Sequence, residues 1–475
     1  MKFSKNPYRI FVLAPFAPVS PEGFKPLFQA VDLFSLDAAM EKLKPVFRIP
    51  VPGRLDPNGE LTLTLSCMKD FKPGNILKQT GDLPKPAADV AGMGTDPAGE
   101  QEEKVDDILS MVDTSAGDTI SGPAEGRETG RDEFLGKIFA DPDFRKAESA
   151  WRGLRLLLQH GKIRNSENID IRICPVSHEV LDQVLNDIAS LPGELLPNLV
   201  LIDLPFSNTT PMTELLERTA AFADSMMVPV CIWLPCDFFS IDRFDQFSKI
   251  PYLKHHLDKD AYIKWNKVKA HPGADWIIAA CNGFLSRPLH EFENDFLFSA
   301  PVWGLGALCA GSVTATGWPM HFTRYTELRL EDLPVGQTGH SQVCSVQALF
   351  SEDRVLQFIE SGITPLVGAK NRDTAFMPRQ TSLSGESIRF GMFFNLVITT
   401  LIRAKEEGTF GDNPDEAIEP ALAALFTGTG QEPPGDISVT LKGNLADGTP
   451  VYLISFIPPE NLFSKTEKIE FSFSW

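Results

Sequence analysis

No cysteine pair in this 475-residue chain has the C-x-x-C spacing of a zinc or redox site: Cys67, Cys174, Cys231, Cys236, Cys281, Cys309 and Cys344 are scattered, most of them inside apolar runs. That scatter excludes a disulfide scaffold and reads as reduced, buried thiols of a cytosolic protein. Positive charge is also in deficit, with 44 Lys and Arg against 63 Asp and Glu and a formal net charge of -19. A chain of that sign has no overall basic face for nucleic acid or an anionic membrane. No apolar run approaches the ~20 residues that span a bilayer. The run Ile10-Phe11-Val12-Leu13-Ala14, preceded by Lys2, Lys5 and Arg9, imitates a signal peptide but is cut by Pro15 and Pro18, so it reads as a core strand.

Catalytic signatures are equally sparse. There is no G-x-x-x-x-G-K-[ST] phosphate loop and no G-x-G-x-x-G after a strand. Gly339-His340-Ser341-Gln342-Val343 starts like a nucleophile elbow without its second glycine, and His255-His256 lacks the carboxylate pattern of a zinc site. Asp203 ends an apolar strand, where α/β enzymes place catalytic acids, but the following Pro205 makes a loop cap the simpler reading. The expectation is a non-enzyme with no catalytic, cofactor or metal residues. A hydrolase using Asp203 or Ser341 is the distant rival.

What is present is 43% hydrophobic residues, enough for a large core, in three regions of different composition. Residues 1–82 are compact and mixed: a strand over Arg9–Phe16, a helix from Ser35 to Leu43 with Ser35 as its cap, and strands Val46–Val51 and Glu60–Cys67 around the turn Asp56-Pro57-Asn58-Gly59. Residues 83–130 are rich in Gly, Pro, Ala, Asp and Glu and read as a flexible acidic linker. One island inside it, 103–112, sets Val105, Ile108, Leu109 and Val112 at helical spacing, as a docking peptide or a helix packing back on its own domain would.

Residues 131–475 alternate strands (Ile169–Cys174, Leu199–Leu204, Val228–Leu234) with helices (His178–Ala189, Pro211–Ala223), which predicts an α/β layer with parallel strands. A long helix follows over Gly385–Glu406, and three strands end the chain: Ile437–Lys442, Val451–Ile457 and Ile469–Ser474. The fold class is α/β, mixed with α+β character. Within this region Asp141 caps a helix over Asp143–His160, with Pro142 at its start and Phe144, Ala147, Trp151 and Leu154 forming one apolar stripe. Arg152 lies off that stripe, free to pair with a carboxylate.

Pro142, Phe144, Glu148 and Trp151-Arg152-Gly153-Leu154, in this order with Trp265, Phe284-Leu285-Ser286-Arg287, Phe298, Trp303, Gly317-Trp318, Gly362–Leu366, Phe376, Gln380 and Ile388-Arg389-Phe390, resemble the large sheath subunit of the bacterial type VI secretion system. The first region, through Asp70-Phe71-x-Pro73, resembles the small sheath subunit, so the chain looks like both subunits fused. The resemblance implies a bacterial cytoplasmic structural protein that polymerises with itself into a contractile helical tube around an inner tube protein, on a baseplate. It implies lacing of neighbours through terminal strands, here Arg9–Phe16, Val451–Ile457 and Ile469–Ser474. It also implies recycling by a hexameric unfolding ATPase, with 103–112 as the docking helix. Phe144, Glu148, Trp151, Arg152, Gly153, Asp70, Phe71, Pro73 and Trp318 are the structural or interface residues it marks. A non-polymerising assembly or baseplate adaptor is the alternative.

Overall fold

The computed structural model describes residues 7–51, 59–80, 125–163, 168–338, 342–408, 413–460, 462–463 and 467–475. Its centre is a seven-stranded sheet. The strands are β1 (Tyr8–Ala14), β2 (Gln29–Val31), β5 (Ile169–Pro175), β6 (Leu199–Pro205), β7 (Val230–Trp233), β8 (Ile277–Cys281) and β9 (Ile363–Pro365), in the order β9-β8-β7-β6-β1-β5-β2. All neighbours are parallel except β2, which runs antiparallel to β5 at the edge. Between β2 and β5 lie the hairpin strands β3 (Val46–Pro50) and β4 (Glu60–Thr64).

Strand alternation sorts the side chains onto two faces. Ile10, Val12, Leu199 and Leu201 look into one core, built with α3 (Glu125–Ala140), α4 (Pro142–His160) and the mostly apolar α9 (Pro301–Thr316). Phe11, Leu13, Val200 and Ile202 look into the other, covered by α5 (Leu181–Ala189), α6 (Thr210–Met226), α8 (Ile263–Lys269) and α10 (Glu352–Glu360). Helix α9 is apolar from Pro301 to Ala310 because it is buried all round there. Among the described residues, no helix is long and apolar enough to cross a membrane.

Two expectations are corrected here. The strand expected at Arg9–Phe16 cannot lace to a neighbouring subunit: β1 is buried along its whole length and is paired on both sides, Tyr8 to Ala14 with Ile169 to Pro175 and Ile10 to Leu13 with Leu199 to Ile202. A run that is apolar on both faces belongs in the middle of a parallel sheet. Nor do residues 1–82 fold apart from the rest. They donate β1 and β2 to the common sheet, and their α1 (Leu36–Leu43), α2 (Pro73–Thr80) and β3–β4 hairpin pack into the α4 core. Smaller shifts concern ends. The Ser35 side chain does not cap α1; Asp32 Oδ1 accepts from the Phe34 and Ser35 amides at 2.9 and 2.8 Å and sets the turn instead. The late helix α11 starts at Arg389, ends at Glu407 and is followed by α12 (Pro414–Gly428), which the sequence reading missed.

The chain ends in a separate antiparallel sheet, β10 (Gly435–Asn444), β11 (Pro450–Ile457) and β12 (Ile469–Ser474), with β11 in the middle. Aromatic contacts seat it on α11 and α12: Phe394 with Phe471 at 5.1 Å, Phe426 with Phe456 at 6.1 Å and Phe393 with Phe456 at 6.4 Å between ring centroids.

Candidate assembly site

Helix α4 begins as its sequence dictates. Asp141 Oδ1 accepts from the amides of Asp143 (3.1 Å) and Phe144 (2.9 Å), and Pro142 occupies the first turn, where no N–H is needed. The stripe it buries packs on the first part of the chain. Phe144 meets Phe71 at 5.5 Å and Phe47 at 5.7 Å, so Asp70-Phe71-x-Pro73 and the α4 motif share one contact. Asp70 Oδ2 accepts from the amides of Ser66 (2.7 Å) and Cys67 (3.0 Å), which fixes the turn that points Phe71 inward, and Pro73 opens α2. The Trp151 indole donates to the Phe16 carbonyl at 2.9 Å, tying α4 to the chain just after β1.

Gly153 is explained by its neighbour: a Cβ there would stand 2.4 Å from Trp303 Cγ. A second close approach, Gly306 against Leu201 and Leu157, lets α4 and α9 pack with their backbones near each other. Gly153→Ala is therefore expected to destabilise the protein by ~1–3 kcal/mol through overpacking; a thermal midpoint equal to wild type would contradict this contact.

The charged residue of the motif is the more unusual one. Glu148 is fully buried on the α4 core face. It accepts from Arg152 Nε at 2.8 Å and from Arg287 Nε and Nη2 at 2.7 and 3.2 Å. Arg287 is itself buried and reaches on to Glu293, with Nη2 to Oε1 at 2.7 Å and Nη1 to Oε2. The Phe139 ring lies 5.1 Å from the guanidinium. One planar fork thus bridges two carboxylates that water does not reach. Burial pushes Glu293 up, but the hydrogen bonds and charge of Arg287 outweigh it and hold the carboxyl below its usual range. Sequence spacing gave no sign of Arg287 or Glu293 as partners of Glu148, because 139 residues separate Glu148 from Arg287.

Trp318 lies apart from this cluster. It is fully buried at the end of α9, stacked on Phe393 at 5.4 Å and tilted against Phe426 at 5.3 Å, and so ties the sheet core to the helices that carry the terminal sheet.

Asp203 is no loop cap: it is buried, with Oδ2 accepting from the Trp303 indole at 2.7 Å. Burial pushes its carboxyl up to about 7 against the pull of the indoles of Trp303 and Trp233. The unfolded carboxyl titrates near ~3.9, so the folded protein holds a proton that the unfolded chain has lost between those values. Stability from this group is complete below pH ~4 and declines as pH rises to 7, by up to ~4 kcal/mol. Asp203→Asn keeps an acceptor for Trp303 and is expected to flatten that decline in denaturation midpoints measured from pH 4.5 to 7.5; an unchanged slope would contradict it.

His256 is held by Tyr262 Oη at 3.0 Å and the Phe239 carbonyl at 3.1 Å. Among the described residues, no group of His, Cys, Asp and Glu could hold a metal ion. The seven cysteines are free thiols, and burial pushes Cys174 and Cys236 up to about 12. Val105, Ile108, Leu109, Val112 and Ser341 lie outside the described residues.

Among the described residues, β10 and β12 each pair on one side only, with β11. The expected lacing strand Val451–Ile457 is corrected: it is β11, paired on both flanks, and the open edges are β10 and β12. Most of β10 is exposed, with Leu441 inside it 56% accessible and Leu445 just past it 49% accessible. An open, ten-residue, partly apolar edge is a template for another strand.

Residues 193–384, which run from just before β6 to just past β9 and include Asp203, Arg287, Trp303 and Trp318, match the VipB family model, described as EvpB/VC_A0108, tail sheath N-terminal domain. Three solved structures are similar to the chain, each with a TM-score of 0.36: the anti-feeding prophage baseplate (12% identity, covering 69% of this chain and 76% of that one), the anti-feeding prophage helical sheath in its contracted state (14%, 67% and 76%) and the contracted sheath complex of the extracellular contractile injection system PVC (10%, 68% and 76%). No curated protein matches the chain. Residues 193–384 are thus similar to the tail-sheath N-terminal domain of the VipB family, which supports a structural subunit of the contractile-sheath type.

Proposed function

We propose that this chain is a sheath protomer in one polypeptide, the small and large subunits fused, and that it polymerises with itself into a helical tube around an inner tube protein. The observation that carries the proposal is the terminal sheet with two open edges on a body that bears the sheath domain. A neighbour's strand added at β10 or β12 would satisfy the unpaired backbone groups. Support for the fusion comes from the interior. The Phe71 and Phe144 motifs, which resemble different subunits, are in contact, and β1 lies between β5 and β6. The linker expected over 83–130 is shortened by α3, which starts at Glu125, and its residues 83–124 lie outside the described ones. In this reading it holds the two parts at an effective concentration of the order of millimolar and fixes one-to-one stoichiometry.

In this reading the buried Glu148–Arg287–Glu293 cluster and the α4–α9 contact keep each protomer rigid while contacts between protomers rearrange. Rearrangement then expels the inner tube from a baseplate in the bacterial cytoplasm, and the role is mechanical rather than catalytic. Recycling by a hexameric unfolding ATPase through 103–112 belongs to the same proposal. The test is sedimentation of the purified chain: particles of megadalton size support it, and a stable 52.4 kDa monomer at micromolar concentration contradicts it.

A further inference from the structure

The start of α11 gathers positive charge that the described fold does not neutralise. Gln380 ties two segments together there. Its side chain donates to the Met320 carbonyl in the turn Pro319–His321, and its own carbonyl accepts from the Ile388 amide at 3.2 Å, one residue before α11 begins. Arg324 stays with that turn, its amide donating to the His321 carbonyl at 3.1 Å. His321, Arg324 and Arg389 therefore come together from distant parts of the chain. Burial, then the charges of Arg324 and Arg389, hold the His321 imidazole down at about 4; burial, then Arg324, lowers Arg389. No carboxylate is among the groups acting on either.

All three side chains have donors to spare. Arg324 is exposed and makes no hydrogen bond or ion pair among the described residues. His321 is buried, and its ring has no hydrogen-bond partner there either. Arg389 gives Nη2 to the Leu462 carbonyl and lies 5.4 Å from the centre of the Phe463 ring, while its buried Nε has no partner among the described residues. The first-turn amides of the 19-residue α11 add the positive end of its dipole. Like charges set together in this way disfavour one another until an anion joins them. Next to Arg324 and Arg389 in sequence, Tyr325 and Phe390 stand 54% and 49% exposed. Arginine beside exposed aromatic rings is the composition of a protein-binding surface. A lone phosphate would leave those rings uncovered. Nucleic acid would extend beyond the cluster into the field of a chain of net charge -19.

We propose that this cluster binds a short acidic peptide segment of a partner protein, its carboxylates on Arg324 and Arg389 and its apolar atoms on Tyr325 and Phe390. The proposal does not depend on polymerisation, so it is tested on the full chain and on full-length Leu441→Lys, which alters the remote terminal sheet. Equilibrium dialysis compares three probes: the acetylated, amidated tetrapeptide Glu-Leu-Glu-Glu, its counterpart Gln-Leu-Gln-Gln, and inorganic phosphate. Saturable binding of the acidic peptide is expected in both proteins, about tenfold tighter than that of the amide peptide and weakened by added salt. Arg324→Gln is expected to weaken it about fivefold. Because the Arg324 guanidinium has no partner in the free protein, Arg324→Gln should leave the thermal midpoint unchanged, which separates lost binding from lost folding. Absence of saturable binding, equal affinity for the two peptides, wild-type affinity in Arg324→Gln, or phosphate bound as tightly as the acidic peptide would overturn the proposal.

Discussion

Arg287→Ala is expected to destabilise the protein by ~3–5 kcal/mol, because it removes the buried cation shared by two buried carboxylates and leaves Glu148 with Arg152 and Glu293 with Arg145 as their remaining positive partners. The geometry makes Arg287→Lys nearly as damaging. An ammonium is a point charge and cannot reproduce the double fork, with Nε and Nη2 on Glu148 and Nη1 and Nη2 on Glu293. Replacing all three, Glu148→Gln, Arg287→Met and Glu293→Gln, should recover much of the loss, since exchanging a whole buried ion cluster for a less charged one is often close to neutral. Denaturant titration of the single and triple variants measures both effects. A loss below ~1 kcal/mol for Arg287→Ala would mean that the cluster is hydrated or not formed, because only exposed pairs contribute so little.

Removal of β12, residues 469–475, is expected to abolish assembly and leave the seven-stranded core folded. The terminal sheet and the central sheet share no strand, so core strand pairing survives the deletion. What is lost is β12 as the edge strand, its ladder with β11 and the Phe471 contact with Phe394, and β11 is left as a different edge. Leu441→Lys at the opposite edge is the gentler companion. It replaces an exposed apolar side chain, should change stability by less than ~0.5 kcal/mol, and places a charge where a neighbouring strand would approach. Sedimentation and circular dichroism report the two properties separately. Assembly at wild-type level by both variants would contradict strand pairing at these edges.

Legibility from sequence followed the range of the interactions. Helix α4 could be read locally, because its cap, its proline and its apolar stripe all lie within ~20 residues. Strand β12 was legible to the residue, since Ile469, Phe471 and Phe473 alternate with polar neighbours up to Ser474. The place of β1 was in principle legible too: seven buried residues in a row mark a central strand, but proximity to the terminus suggested an edge. Long-range partners were not legible. Gly153 looks like a weak point in a helix until Trp303 is seen against it, and Glu148 looks like a surface residue until Arg287 arrives from 139 positions away. Asp203 was read as a loop cap because proline follows two residues later; its partner Trp303 stands 100 residues on. In each case a polar or small residue is fixed by a contact that no periodicity encodes.

The central claim, that this chain alone builds a sheath, is tested most directly by negative-stain electron microscopy of the purified full-length protein. The account predicts hollow helical tubes of uniform width that disappear when residues 469–475 are removed. Rings or single particles at every concentration and salt condition would contradict it.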